Sequence, residues 1–149
     1  QYRLQWKDVK YQPGTLKVVA YKNGKKWAEE TVKTTKKASE IKLEADRNTI
    51  DADGQDVSFI TVSMSDKNGR TVPRTHNSVT YTIEGPGEII AVGNGDPTNH
   101  ESFQAKERKV FNGLALVIIR SKKGEAGAIT LKAESSGLKT SLIEIKASL

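Results

Sequence analysis

Along most of this chain apolar and polar residues alternate with a period of two, the pattern of strands that bury one face and wet the other. Ile60, Val62 and Met64 alternate with Thr61, Ser63 and Ser65. Val79, Tyr81 and Ile83 alternate with Thr80, Thr82 and Glu84, and the pattern returns in Ile129, Leu131 and Ala133, then in Ser141, Ile143 and Ile145. No stretch sustains a helical period, so almost no helix is expected. KNGKK, ADGQD, DKNGR, EGPGE, GNGDP, FNG, KKGEAG and SSG separate the runs, each with a glycine where positive φ is available. Short strands punctuated this way predict an all-β sandwich.

One run departs from the alternation. LALVII, residues 114–119, is apolar on both faces, which suggests a central strand covered on each side or a strand at a domain contact. TTKKASE, residues 34–40, is small, polar and charged between two strand blocks and reads as a linker. It divides the chain into residues 1–36 and 37–149. The second part holds about seven strand candidates, enough for a complete immunoglobulin-like sandwich. The first holds about three, YRLQW, TLKVVAY and KWAEETVK, too few to close a sandwich. Their apolar face, Leu4, Trp6, Leu16, Val18, Trp27 and Val32, would lie bare, so this part reads as strands cut from a larger domain.

Composition narrows the function. The 149 residues contain no cysteine, which removes disulfides, thiolate metal sites and cysteine nucleophiles. No apolar run is long enough for a membrane helix, and QYRLQWKDV lacks the layout of a signal peptide, so no membrane partner is expected. The net charge of +6 comes largely from lysines at turn tips such as KNGKK and SKKG, and aromatic residues make up only 6%. A nucleic-acid surface would instead need a dense basic stripe with interleaved aromatics, so nucleic acid is not an expected partner.

The segment AVGNGDPTNHESFQ, residues 91–104, gathers the most chemistry-bearing side chains. It is not a phosphate loop, because the dinucleotide fingerprint needs a third glycine and a following helix to aim amide groups at phosphate. Asp96, His100 and Glu101 could hold a hard cation or act as acid and base, but glycoside-type hydrolysis needs two carboxylates at a controlled separation across a cleft. The structural alternative is a crossing loop in which Asn and Asp side chains satisfy backbone amides. His76 is remote in sequence and has no partner at zinc-ligand spacing. DADGQD, residues 51–56, fails the calcium-loop pattern, since Gly54 is misplaced and Val62 stands where the closing glutamate belongs; DKNG, residues 66–69, reads as a hairpin turn. Trp6 and Trp27 are the sugar-contact candidates, because exposed indoles make stacking platforms; core positions are the alternative.

Longer runs carry a family resemblance. DVKYQPGTLKVVAYKNGK, residues 8–25, resembles the last strands of an immunoglobulin-like domain that follows the barrel in glycoside hydrolase family 2 enzymes of bacterial β-galactosidase type. IKLEADRNTIDADGQDVSFITVSMSDKNGRTVP, residues 41–73, GPGEIIAVGNGDPTNHESFQ, residues 85–104, and RKVFNGLALVIIRS, residues 108–121, resemble the C-terminal domain of such enzymes, itself similar to invasin-type folds. The resemblance implies a non-catalytic accessory region, because the acid and nucleophile glutamates of these hydrolases belong to the barrel. It implies no catalytic residue in these residues and a structural role for the GNGDP segment; on the residues themselves, no cofactor and no metal are expected. The implied partner is the catalytic barrel. The bare N-terminal face separately predicts a compensating contact, either packing on the second domain or pairing with another copy, and the indoles of Trp6 and Trp27 make an oligosaccharide a further candidate partner. The implied setting is periplasmic or exported. The run Tyr11-Gln12-Pro13-Gly14-Thr15-Leu16 resembles the corner before a penultimate immunoglobulin strand, where a buried tyrosine bonds back to the main chain. Two other readings stand beside this one: a carbohydrate-binding module using Trp and Tyr stacking, and a spacer or adhesin-type domain.

Overall fold

The computed structural model describes residue 3 and residues 5–149. Leu4 of the bare apolar face lies outside the described residues, as does part of the first strand candidate, YRLQW; its described members Arg3, Gln5 and Trp6 are not in a strand. The chain divides into two units, residues 1–35 and 36–149, and the division falls inside TTKKASE.

The first unit is a hairpin of β1 (Thr15–Lys22) and β2 (Lys25–Lys33). Asn23 and Gly24 both have positive φ, 51° and 72°, and such a two-residue turn matches the twist of the flanking strands. Leu16 pairs with Val32 and Ala20 with Ala28, and the register shifts between Ala20 and Tyr21. Lys17 Nζ and Lys26 Nζ lie 2.7 and 2.6 Å from Glu29 Oε2, giving one face a charge cluster. Leu16, Val18 and Val32 remain exposed. The main chain closes where the Thr34 amide donates to the Gly14 carbonyl at 2.8 Å and the Gly14 amide to Thr34 Oγ1 at 3.0 Å. Tyr11 departs from the expected corner. It is 78% exposed, and its hydroxyl meets Thr34 Oγ1 at 3.4 Å rather than the main chain. A buried corner needs a sheet to close over the ring, and a hairpin offers none.

The second unit is an immunoglobulin-like β-sandwich of nine strands. One sheet has the order β4 (Thr49–Asp51), β11 (Ser141–Ser148), β10 (Gly127–Glu134), β6 (Ser78–Glu84), β8 (Glu107–Lys109). The other runs β3 (Glu40–Ala45), β5 (Val57–Ser65), β9 (Leu114–Ser121), β7 (Gly87–Gly93). Neighbours are antiparallel except β4 and β11. The strands beyond the expected seven include β4 and β8, three residues each. Edge strands that short carry too little alternation to register as a pattern.

The period-two residues face each other across the layers as expected. Ile60, Val62 and Met64 from β5, Val117 and Ile119 from β9, Val79 and Tyr81 from β6 and Ile129 and Leu131 from β10 are all fully buried. LALVII becomes β9, an interior strand of its sheet. DKNG forms a reverse turn: the Gly69 amide reaches the Asp66 carbonyl at 2.8 Å and the Val72 amide the Met64 carbonyl at 2.8 Å. The FNG turn admits only glycine at its second corner, because Gly113 has φ of 79° and a Cβ there would stand 2.2 Å from the Val72 carbonyl oxygen.

Candidate functional site

The loop from β7 to β8 contains the densest polar cluster, and its organiser is a residue that sequence reasoning passed over. Arg108 sits on β8 between exposed Glu107 and Lys109, so period two turns it inward with Val110, and it is 1% exposed. Nη1 donates to Asn99 Oδ1 at 2.7 Å and to the carbonyl and carboxylate of Glu101, both at 3.3 Å. Nη2 donates to the carbonyls of Ser102 at 2.6 Å, Val92 at 3.1 Å and Glu101 at 3.3 Å. The ring of Phe103 lies 5.7 Å from the guanidinium carbon. A planar cation with fork geometry suits this task, binding several acceptors at fixed angles while keeping its charge. The available signal was an arginine in phase with an apolar position, Arg108 with Val110.

Around that cation the Asn and Asp side chains bond to the loop's own backbone. Asn94 Oδ1 accepts from the Asp96 amide at 3.0 Å, and Asn94 Nδ2 donates to the Lys109 carbonyl at 2.9 Å. Asp96 Oδ1 accepts from the Thr98 amide at 2.9 Å and the Thr98 hydroxyl at 2.8 Å. Those two donors hold its carboxyl below the usual carboxylate range, and the nearby His76 and His100 add to the effect. Folding thus brings both histidines within electrostatic reach of one carboxylate despite their separation in sequence. Among the described residues, however, no group of three or more His, Asp or Glu side chains is placed to hold a metal ion.

Residues 99–104 line an open depression. Glu101 on its rim bonds Arg108 and also accepts from Asn99 Nδ2 at 3.3 Å. Both carboxylates of the loop are thus engaged by donors of the loop and of β8, Asp96 by Thr98 and Glu101 by Asn99 and Arg108.

The sugar-contact candidates lie in the first unit. Trp27 on β2 is 71% exposed with Lys22 Nζ 5.7 Å from its ring centroid, and Trp6, before β1, is 63% exposed. Neither indole is in a core.

The family described as Glycoside hydrolase family 2 C-terminal domain 5 matches residues 41–144, most of the chain. The chain belongs to that family. A second family, described only as a domain of unknown function, matches residues 1–28. Beta-galactosidase BoGH2A of Bacteroides ovatus is 41% identical over 144 residues, which are 97% of this chain and 17% of that protein. A putative beta-glucuronidase of Formosa agariphila is 32% identical over 127 residues, 82% of this chain and 12% of that protein. The solved structure of a glycosyl hydrolase family 2 member from Bacteroides cellulosilyticus superposes with a TM-score of 0.91 at 36% identity, covering 95% of this chain and 18% of that one. This family 2 C-terminal domain therefore spans less than a fifth of the length of these relatives.

Proposed function

We propose that this chain is a non-catalytic accessory region of a family 2 glycoside hydrolase of β-galactosidase type, buttressing the catalytic barrel and its oligomer during carbohydrate degradation. The observation that carries this reading is the alignment of nearly the whole chain with 17% of a β-galactosidase. The loop chemistry agrees with it. Asp96 is bonded to Thr98, and Glu101 to Arg108 and Asn99, so the side chains that might have reacted hold a loop in place. The test compares the parent enzyme with a version lacking residues 36–149. The truncated enzyme should lose activity faster on warming, while the 149-residue chain alone should not hydrolyse aryl β-galactosides. Unchanged thermal inactivation, or hydrolysis by the isolated chain, would refute the reading.

The exposed indoles favour a second reading, contact with an oligosaccharide. Saturable quenching of tryptophan fluorescence by galactosides, lost in Trp27→Ala or Trp6→Ala, supports it; no response at millimolar sugar rejects it. The same accessory reading carries two expectations about the parent. It resides in the periplasm or is exported, which cell fractionation checks. The bare hairpin face of Leu16, Val18 and Val32 meets another surface there, which sedimentation of Leu16→Lys checks.

A further inference from the structure

The two outward faces of the sandwich differ in chemistry. On the sheet containing β6, β10 and β11 the outward positions include Thr80, Thr82, Glu84, Lys132, Glu134 and Glu144, a mostly polar face in which Leu142, paired with Lys132, is an isolated exposed apolar side chain. On the other sheet, β9 turns Ala115, Val117 and Ile119 to the core, so period two sends Leu114, Leu116 and Ile118 outward. Phe59 pairs with Ile118 from β5, and Ala91 flanks Ile118 from β7. Gly93 stands opposite Leu116, and a Cβ there would meet the Phe103 ring at 3.7 Å, which places that ring over the same face. Phe59, Leu114 and Phe103 are 40%, 44% and 67% exposed. Ion pairs border this apolar centre: Arg120 donates to Glu88 Oε1 from Nε at 3.0 Å and Nη2 at 2.7 Å, and Lys42 Nζ lies 3.0 Å from Glu44 Oε2.

An apolar centre with an ion-paired rim is the anatomy of an interface. We propose that this outward face of β5, β9 and β7 docks a flat apolar patch on a preceding domain of the same polypeptide. The proposal rests on the accessory-domain reading and names the face that does the buttressing. Size selects the occupant. The exposed apolar centre consists of a few side chains, Phe59, Leu114 and Phe103 among them, each only partly exposed, well short of the area of about 800 Å² per partner in a stable complex of separate proteins. Contacts between tethered domains succeed with smaller areas, because the tether supplies an effective concentration in the millimolar range. The relatives are far longer than this chain: the residues matching it make up only 17% of the β-galactosidase from Bacteroides ovatus.

The absence of native cysteine in these residues allows a direct test. Phe59→Cys and Ile118→Cys probe the proposed face, and Thr82→Cys probes the wet one. Maleimide labelling of each would be timed by peptide mass spectrometry in the 149-residue chain and in the parent polypeptide. We expect labelling at Phe59→Cys and Ile118→Cys to slow at least tenfold in the parent, and labelling at Thr82→Cys to be equal in both. Equal rates at all three positions overturn the proposal, as does slowing in the 149-residue chain that vanishes on dilution, which would mark a second copy as the occupant. Phe59→Asp is the independent check, with a lowered melting midpoint in the parent and none in the 149-residue chain. Failure here is separable from failure of the accessory reading: the truncation experiment reads the need for the domain, and labelling reads only which face is covered.

Discussion

Arg108 binds the buried carbonyl of Val92 and the partly buried one of Ser102, and its removal would leave them without that donor. Arg108→Ala should destabilise the chain by about 3 kcal/mol, the usual cost of stranding buried polar groups, measured as a shift of the urea midpoint. Arg108→Lys should recover little, since an ammonium cannot span the same acceptors. Tyr81 predicts the opposite sign. Its hydroxyl is buried without a protein partner, and burial pushes its phenol well above the ordinary range. Tyr81→Phe should be neutral or stabilising by up to about 1 kcal/mol, because it removes an unsatisfied group and keeps the ring. Asp66 is a third buried polar residue and fully satisfied. Oδ2 accepts from the Lys36 amide at 2.9 Å, and Oδ1 from the amides of Asn68 at 2.9 Å and Arg70 at 3.1 Å. The Lys36 amide is the main reason its carboxyl lies below the usual range, against burial, with the Arg70 and Asn68 amides adding. A depressed folded pKa contributes stability that is complete above the unfolded value of about 3.9 and is lost as pH falls through the folded value. Asp66→Asn should therefore unfold at lower urea at neutral pH and show a flatter acid limb, read by circular dichroism from neutral to strongly acid pH.

Turns and strands obey stricter rules where the sandwich packs against them. Gly24 and Gly113 both occupy two-residue hairpin turns at positive φ, yet only Gly113 faces a backbone oxygen at 2.2 Å; nothing stands within 4 Å of a Cβ at Gly24. Gly24→Ala should cost about 1 kcal/mol for the conformation alone. Gly113→Ala should cost clearly more, because Val72 must also move, and comparing the two melting temperatures separates conformation from collision. In the strands, Ile129 lies on β10, between β11 and β6, and is fully buried. Ile129→Ala should cost about 2–5 kcal/mol through lost transfer energy and the cavity left behind. These elements were readable beforehand: FNG announced its turn, and alternation in GAITLKAE announced which side chains face inward. The short strands β4 and β8 were not, because three residues contain too little pattern, and each is a strand only through its neighbour's hydrogen bonds.

The two units should differ in stability across the whole chain. The hairpin has two strands and an exposed apolar face, and isolated hairpins are marginal in water. In hydrogen exchange of the 149-residue chain, the amides of β1 and β2 should exchange far faster than those of β5, β9 and β10, interior strands whose opening requires the sandwich to come apart. Equal protection in both units would mean that the hairpin is covered. Charge is divided as unevenly. Residues 1–35 contain eight Lys and Arg against three Asp and Glu, so the hairpin unit carries most of the net +6. Its association with any anionic surface should weaken with salt, whereas the folding of the sandwich should not.

By itself the sequence determined the all-β class, the side chains of the core and the sharpest turns, because periodicity and positive-φ glycines act within a few residues of chain. It also contained, in its long runs, the likeness to family 2 C-terminal domains. Tertiary structure decided what depends on distant partners. Asp66 is satisfied by an amide 30 residues before it. Arg108 is an organiser rather than a surface charge only because β8 pairs with β6 and turns it toward β7. The outward residues of β9 form a patch only when β5 and β7 lie on either side. Such outcomes are set by register and burial, which exist once the sheets have formed and have no local signature in the chain.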